Sequence, residues 1–338
     1  MKEVKVVLYG IGAIGRRMAS ALLEKKWAKI VGAVDIDPNK VGRDLGDLIG
    51  KKPLGVIISD DPDAVLSEAK PHIVVHTTTS YLRDTYPQFV KILGHGVNVV
   101  STCEELSYPY VTEEQRELAE KMDKLAREKG VTILGTGINP GFLMDTLVIT
   151  LTGPCIRVDR IEVVRQMNAA TRRVPFQKKI GAGLTVEEFK RKISSHEITG
   201  HVGLEQSIGM IADALGWRLD EVRVEPVEPV VAERPVESEA VKVPSGYCAG
   251  LRQRAMGMRG GDAVITLDFR AYIGAEEEYD AITIEGVPTI RERISPCVHG
   301  DYGTVGITIN SIPKVIKAEP GLKTMKDLPI PSATPSRA

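Results

Sequence analysis

The chain opens on VKVVLY (4–9), where apolar and β-branched residues run almost without a polar break, the pattern of a strand buried on both faces. Glycines follow at once. From Ile14 to Lys26 the run IGRRMASALLEKK sets Met18, Leu22 and Leu23 at helical spacing with basic residues outside, which predicts an amphipathic helix. IVGAVDI (30–36) reads as a second strand. The alternation continues with helices predicted in VGRDLGDLIG and DPDAVLSEA, and strands in HIVVHTTT and VNVVSTC. TEEQRELAEKMDKLAREKG is a long helix: Thr112 suits its N-cap, acids fill its first turn, and Gly130 follows its basic end. VTILGTG is the next strand. Strands alternating with helices in short units imply an α/β class and a parallel sheet covered on both faces, the doubly wound, Rossmann-type architecture.

Past about residue 143 the pattern changes. RVDRIEVVRQM, EVRVEPVEPVVAE, GLRQRAMGMRG and DAVITLDFRAYIG alternate over longer stretches, which predicts a mainly antiparallel sheet with one wetted face. Two helices interrupt it: TVEEFKRKISS, with Thr185 and Glu188 forming a capping box, and HVGLEQSIGMIADALG, closed by Gly216. Prolines in VEPVEPVVAERPVE point to an edge strand. NSIPKVIKAEPGLKTMKDLPI reads as a short helix and a punctuated tail. The division expected is a dinucleotide-binding domain over 1–143, a substrate-binding α+β domain over 144–308, and a segment 309–338 packed back on the first.

The 338 residues suit two domains. Lys plus Arg (44) nearly balance Asp plus Glu (45), so no broad field draws in nucleic acid or an anionic membrane. Cys103, Cys155, Cys248 and Cys297 form no CxxC pair, which argues against a metal site and a disulfide framework and fits a reducing cytoplasm. The N-terminus enters a strand without a targeting segment, and no apolar run approaches the ~18 residues of a membrane span. A soluble, cytoplasmic protein is expected.

Gly10, Gly12 and Gly15 form GxGxxG between the first strand and first helix. The first permits a tight turn, the second a close approach of backbone to pyrophosphate, and the third close helix–strand packing. The anion then rests on the helix N-terminus, at Ala13, Ile14 and Arg16. Asp35, at the end of the second strand, is placed to accept hydrogen bonds from the adenosine ribose, and its charge repels a 2′-phosphate, so NAD is preferred. Arg16 and Arg17 keep NADP open; they read equally well as solvated charges on a helix face.

In doubly wound sheets ligands gather at the carboxyl ends of strands, where three polar clusters fall. Thr77, Thr78, Thr79 and Ser80 line the cofactor channel or simply cap the next helix. In STCEEL, Cys103 joins the cofactor-binding set, and Glu104 and Glu105 cannot both point the same way. A carboxylate facing the nicotinamide would hold an ammonium and exchange protons with an iminium, and Glu104 is the choice; the alternative makes both acids first-turn helix residues. In GINPGF, Asn139, Pro140 and Phe142 form a rigid turn able to meet the nicotinamide carboxamide or a substrate, or else an inter-domain hinge. His201 is a candidate substrate residue, with His196 equally placeable.

VVLYGIGAIGRRM, AVDIDPNKVGRDLGDL, STCEELSYPY, GTGINPGFLMD, GHVGLEQS and NSIPKVIKAEPGLKTMKDLP together resemble the 2,4-diaminopentanoate dehydrogenases and the native amine dehydrogenases, distant cousins of dihydrodipicolinate reductase. The similarity covers nearly the whole chain, and STCEELSYP and GTGINPGF are far more specific than the glycine loop. The resemblance implies NAD(P)-dependent oxidative deamination of an amine or reductive amination of a carbonyl, with Glu104 as the catalytic glutamate. It also implies a homodimer formed through the second domain's sheet. Two rivals stand beside it: an imine or amino-acid-aldehyde reductase of the dihydrodipicolinate reductase or homoserine dehydrogenase type, and a dinucleotide sensor without turnover. An HHxxK-type basic motif is missing, which weighs against dihydrodipicolinate reductase itself.

Overall fold

β1 (Val4–Tyr9) is buried along nearly its whole length in the computed structural model, which describes residues 3–336. α1 (Ala13–Leu23) turns Gly15, Met18, Ala19 and Leu22 inward. There follow β2 (Ala28–Val34), α2 (Leu45–Leu48), β3 (Ile58–Ser59), α3 (Pro62–Ala69), β4 (Ile73–His76), α4 (Leu82–Gly94), β5 (Asn98–Ser101), α5 (Glu113–Lys129) and β6 (Thr132–Gly135). The helix expected over VGRDLGDLIG shrinks to one turn. Asp44 caps it at Gly46 N and also takes the N–H groups of Leu54 and Gly55, so its carboxylate organises a loop instead of a longer helix. α5 begins where Thr112 accepts from Gln115 N and ends at Gly130, whose φ of +68° suits glycine. Val7, Val74, Val99 and Ile133 from the strands pack with Phe89, Ile92 and Met122 of α4 and α5.

A second unit, Leu143–Val298, holds α6 (Thr146–Thr152), β7 (Arg157–Asn168), α7 (Val174–Lys179), α8 (Val186–Ser194) and α9 (Leu204–Ala214). The strands β8 (Glu221–Val224), β9 (Glu228–Val231), β10 (Val236–Glu237), β11 (Lys242–Val243), β12 (Cys248–Arg259), β13 (Asp262–Tyr272), β14 (Tyr279–Val287) and β15 (Ile290–Ile294) complete it. The main sheet runs β15-β14-β7-β13-β12-β8, with β9 also on β12. Only the β7–β13 pair in it is parallel, so the sheet is mainly antiparallel, as expected, with one parallel pair at its centre. β9 carries Pro229 at the edge, where no ladder donor is lost. Two more helices interrupt the strands than the periodicity predicts; α6 and α7 are too short to show a 3.6-residue repeat. The capping box of α8 forms as expected between Thr185 and Glu188. α9 covers the inner face so closely that a Cβ at Gly257 would lie 3.0 Å from Ile208.

From His299 the chain rejoins the first unit. α10 (Gly300–Val315) contacts α1 and β5, and β16 (Gly321–Lys323) adds beside β6, giving a seven-stranded, all-parallel sheet in the order β16-β6-β5-β4-β1-β2-β3. The pattern predicts this last helix only from Asn310. α10 starts at Gly300 and buries Val305, Ile307, Thr308, Ile309 and Ile312 on several sides, so it lacks the polar face that periodicity detects. Thr132 Oγ1 donates to Glu319 O, and Leu322 N donates to Asp123 Oδ1, fastening the returning strand.

Candidate active site

The loop between β1 and α1 admits glycine alone at two of its three positions. Gly10 has φ +93°, and a Cβ there would sit 2.6 Å from Thr77 O; a Cβ at Gly15 would sit 2.0 Å from Gly10 O. Gly12 differs, since its Cβ position faces open space. That cradle lies over the N-terminus of α1, where Ala13 and Arg16 are exposed and Ile14 is half-buried, so backbone N–H groups and the helix dipole favour an anion. The residues present therefore fit a dinucleotide pyrophosphate. Thr77 Oγ1 donates to Gly10 O at 2.7 Å, tying the end of β4 to the loop. Arg17 is differently engaged: it lies over the Tyr302 ring and 3.8 Å from Asp301, both at the start of α10.

Asp35 follows β2 and is 9% exposed. Its carboxylate accepts from Ile11 N at 2.6 Å and Asp37 N at 2.9 Å, and Lys40 Nζ lies 3.0 Å away. Burial pushes the carboxyl up, but these N–H donors and the Lys40 ammonium outweigh it and hold the group below the ordinary carboxylate range. Lys40 also lies 3.4 Å from Asp37. No local signal marks this lysine; it faces Asp35 only because the chain turns back after β2.

The segment after β5 is pinned at alternate residues. Ser101 Oγ accepts from Cys103 N, and Cys103 Sγ donates to Ser80 O at 3.2 Å and receives Thr85 Oγ1. Cys103 is 1% exposed and burial pushes its thiol up to about 12, so its side chain is a protonated packing group turned toward α4. Glu105 N donates to Ser80 O, and Glu105 Oε2 accepts from Leu82 N at 2.6 Å, capping α4 from a distance. Ser107 Oγ donates to Glu104 O at 2.7 Å. Glu104 sits half-buried between these anchors. The turn rests on β6 so tightly that a Cβ at Gly135 would meet the Leu106 carbonyl carbon at 2.4 Å.

At the end of β6, Gly141 (φ +126°) folds the loop 137–141 back on itself, with a Cβ there only 2.3 Å from Gly137 N. Ile138 N donates to Thr304 Oγ1 of α10. Asn139 and Phe142 are half-buried, Pro140 is buried, and the Asn139–Pro140 peptide is cis. Thr136 is 2% exposed, and its hydroxyl finds no partner among the described residues. Such an orphaned donor beside the other strand ends again fits a polar ligand. Thr78 is exposed, while Thr79 and Ser80 are half-buried. Contacts thus link Gly10, Thr77, Ser101 and Thr136 across the carboxyl ends of β1, β4, β5 and β6.

His201 belongs to the second unit and precedes α9 instead of opening it. Its ring stacks on Phe269 with centroids 4.3 Å apart, and its backbone N–H donates to Gln253 Oε1. Burial, aided by the charges of Lys179 and Arg165, pushes it down to about 3, so it is a neutral ring. Arg165, 1% exposed, donates to Asp280 at 2.6 Å. Among the described residues no group of three His, Cys, Asp or Glu side chains is placed to hold a metal ion, and no helix is long and apolar enough to cross a membrane.

Two family models match the chain: dihydrodipicolinate reductase, N-terminus, over residues 4–132, and 2,4-diaminopentanoate dehydrogenase C-terminal domain, over residues 142–337. A 2,4-diaminopentanoate dehydrogenase of Acetoanaerobium sticklandii is 39% identical over 98% of this chain and 95% of its own length. An amine dehydrogenase of Streptomyces virginiae is 25% identical over 97% of this chain and 96% of its own. The solved structure of an amine dehydrogenase from Mycobacterium smegmatis, 29% identical, superposes with a TM-score of 0.85 over 98% of both chains.

Proposed function

Because the chain belongs to the 2,4-diaminopentanoate dehydrogenase family and is an NAD(P)-dependent amine dehydrogenase, we propose that Glu104 is its proton carrier and that a short diamino acid resembling 2,4-diaminopentanoate is its substrate. Gly10, Gly12, Gly15, the N-terminus of α1 and Asp35 would hold a nicotinamide dinucleotide, which would supply a hydride acceptor for the amine-bearing carbon, or a hydride donor in the reverse direction. Glu104 accepts the proton that the substrate ammonium sheds and releases it to solvent; as the carboxylate again, it takes one from the water that adds to the resulting iminium. The same carboxyl returns a proton to the departing nitrogen, so the carbon loses hydride and ammonia and gains the oxygen of water. The observation that carries this reading is the pinned turn 101–107, in which Cys103 and Glu105 are turned to α4 with Glu104 half-buried between them.

Glu104→Gln is expected to lower turnover by about 100-fold or more, with NADH affinity within about twofold of wild type. Formation of NADH at 340 nm from a panel of amines, including 2,4-diaminopentanoate, measures it. Wild-type turnover in the variant rejects the assignment. Glu105→Gln is the control and keeps its turnover.

NAD is the preferred cofactor in this reading, since the Asp35 carboxylate repels a 2′-phosphate, while Lys40 offsets part of that charge and keeps NADP usable. Tighter binding of NADP than of NAD would overturn the preference. Asn139, Pro140 and Phe142 contribute to nicotinamide or substrate contacts; within the second unit, His201 is the candidate substrate residue. The enzyme works in the cytoplasm as a homodimer formed through the outer face of the second sheet. Half-buried Val164, Met256 and Tyr272 lie there beside Asp268, whose charge is closed by Arg252 at 2.7 Å and Arg270 at 2.6 Å. Apolar area with neutralised charge is what an interface needs.

A further inference from the structure

His76 ends β4, the strand next to the glycine-loop strand, and it is fully buried. Its ring lies between Tyr9 and Phe89, with centroids 5.4 and 4.6 Å away. Nε2 is 2.7 Å from Gln88 Oε1, and Nδ1 is 2.9 Å from Ser101 Oγ. An amide oxygen only accepts, so the ring proton lies on Nε2 and Nδ1 is the acceptor. Thr78 Oγ1 donates to the same Gln88 oxygen. Ser101 Oγ must therefore donate to Nδ1, which leaves its lone pairs for Cys103 N at 3.0 Å. The result is a directed chain, Cys103 N–H to Ser101, Ser101 O–H to His76 and His76 N–H to Gln88, with Thr78 Oγ1 also 3.1 Å from His76 Nε2. Burial holds the imidazole neutral by pushing it down to about 4, so this polarity persists across the working pH range.

We propose that His76 and Ser101 are positioning residues for the amine-oxidising reaction: the neutral imidazole orients the Ser101 hydroxyl, and that hydroxyl fixes the peptide of Cys103, to which Glu104 is joined. The inference rests on reading Glu104 as the proton carrier. Neither residue touches substrate; both act through the backbone that aims the carboxylate. A carboxylate displaced by even 1 Å loses proton-transfer rate without losing ligand affinity. The chain is also self-contained within the first unit, since Gln88, His76, Ser101 and Cys103 all belong to it.

The experiment compares Ser101→Ala, His76→Leu and His76→Asn in wild-type and Glu104→Gln backgrounds. The substrate is the amine of the panel that wild type oxidises fastest. Ser101→Ala removes one oxygen and keeps the fold; it is expected to lower kcat about 10-fold or more, with KM and the NADH Kd within about twofold. His76→Leu does the same, and His76→Asn, whose Oδ1 replaces Nδ1 as acceptor, recovers most of the loss. In the Glu104→Gln background Ser101→Ala costs little further, because both changes remove one function. Independently of activity, ¹⁵N NMR of the wild-type protein shows His76 protonated on Nε2. Full kcat in Ser101→Ala, an equal fractional loss in both backgrounds, or a proton on Nδ1 overturns the proposal. Full turnover in Glu104→Gln alone instead defeats the assignment of Glu104, so the two failures are distinguishable.

Discussion

Gly12 and Gly15 separate two demands that a glycine fingerprint merges. At Gly15 a Cβ would lie 2.0 Å from Gly10 O, a backbone atom that cannot move aside, so Gly15→Ala is expected to cost about 3 kcal/mol of stability. At Gly12 the Cβ would meet nothing. Gly12→Ala should therefore melt as wild type does, yet lose about tenfold or more in NADH affinity because the methyl occupies the pyrophosphate cradle. Thermal melting with NADH titration checks the pair, and unaltered affinity in Gly12→Ala would remove the loop from the cofactor site. These glycines and Asp35 are legible in the sequence because their spacing is local and the chemistry is set by the backbone. His76, Ser101 and Gln88 are not: their hydrogen bonds span strands and a helix, and no spacing rule announces them. Lys40 is hidden for the same reason, since a charged residue in a loop reads as solvated until its fold partner is known.

α4 shows how an element can take its cap from elsewhere in the chain. Tyr81 stands at its N-cap position and makes no side-chain cap bond; the acceptor for Leu82 N is Glu105, beyond β5. Burial raises the Glu105 carboxyl above its ordinary range, only partly offset by the Leu82 and Gln115 donors. A folded pKa raised above the unfolded one means that the stability from this group is full below the unfolded pKa and is lost as pH rises through the folded one. Glu105→Gln keeps an oxygen for Leu82 N without the buried charge. It is expected to match wild type in mild acid and to exceed it at neutral pH, as urea unfolding at several pH values will measure; a less stable variant at neutral pH would show that the charged cap outweighs its burial. Caps of the ordinary local kind, Thr112 on α5 and Thr185 with Glu188 on α8, were readable from sequence. α10 was not readable at its start, because a helix buried on several sides carries no polar stripe.

Across the whole molecule, one neutral histidine sits in each unit: buried His76, pushed down to about 4, and half-buried His201, pushed down to about 3, in both cases chiefly by loss of hydration. Folded values below the unfolded one stabilise the protein fully above the ordinary histidine pKa, and that contribution drains as pH falls toward the folded values. Each unit should therefore lose about 1.4 kcal/mol per pH unit from its histidine on the acid side of the unfolded histidine pKa of about 6.5. Urea unfolding followed between pH 7 and 5 tests this, and a flat profile would mean that one or both rings charge in the folded state. The two-part organisation was legible as a change of hydrophobic period near residue 143, but the β7–β13 parallel pair was not, because strand direction is set by the connections between strands and leaves no mark on the alternation. The return of the chain has a different kind of consequence. The first sheet's edge strand β16 and the helix α10 lie beyond the whole of the second unit. A ribosome making this protein thus releases the amino-terminal half while it still lacks an edge strand and a covering helix. The contiguous second unit has all its residues before the first does, so during synthesis the domain that begins the chain is the one completed last.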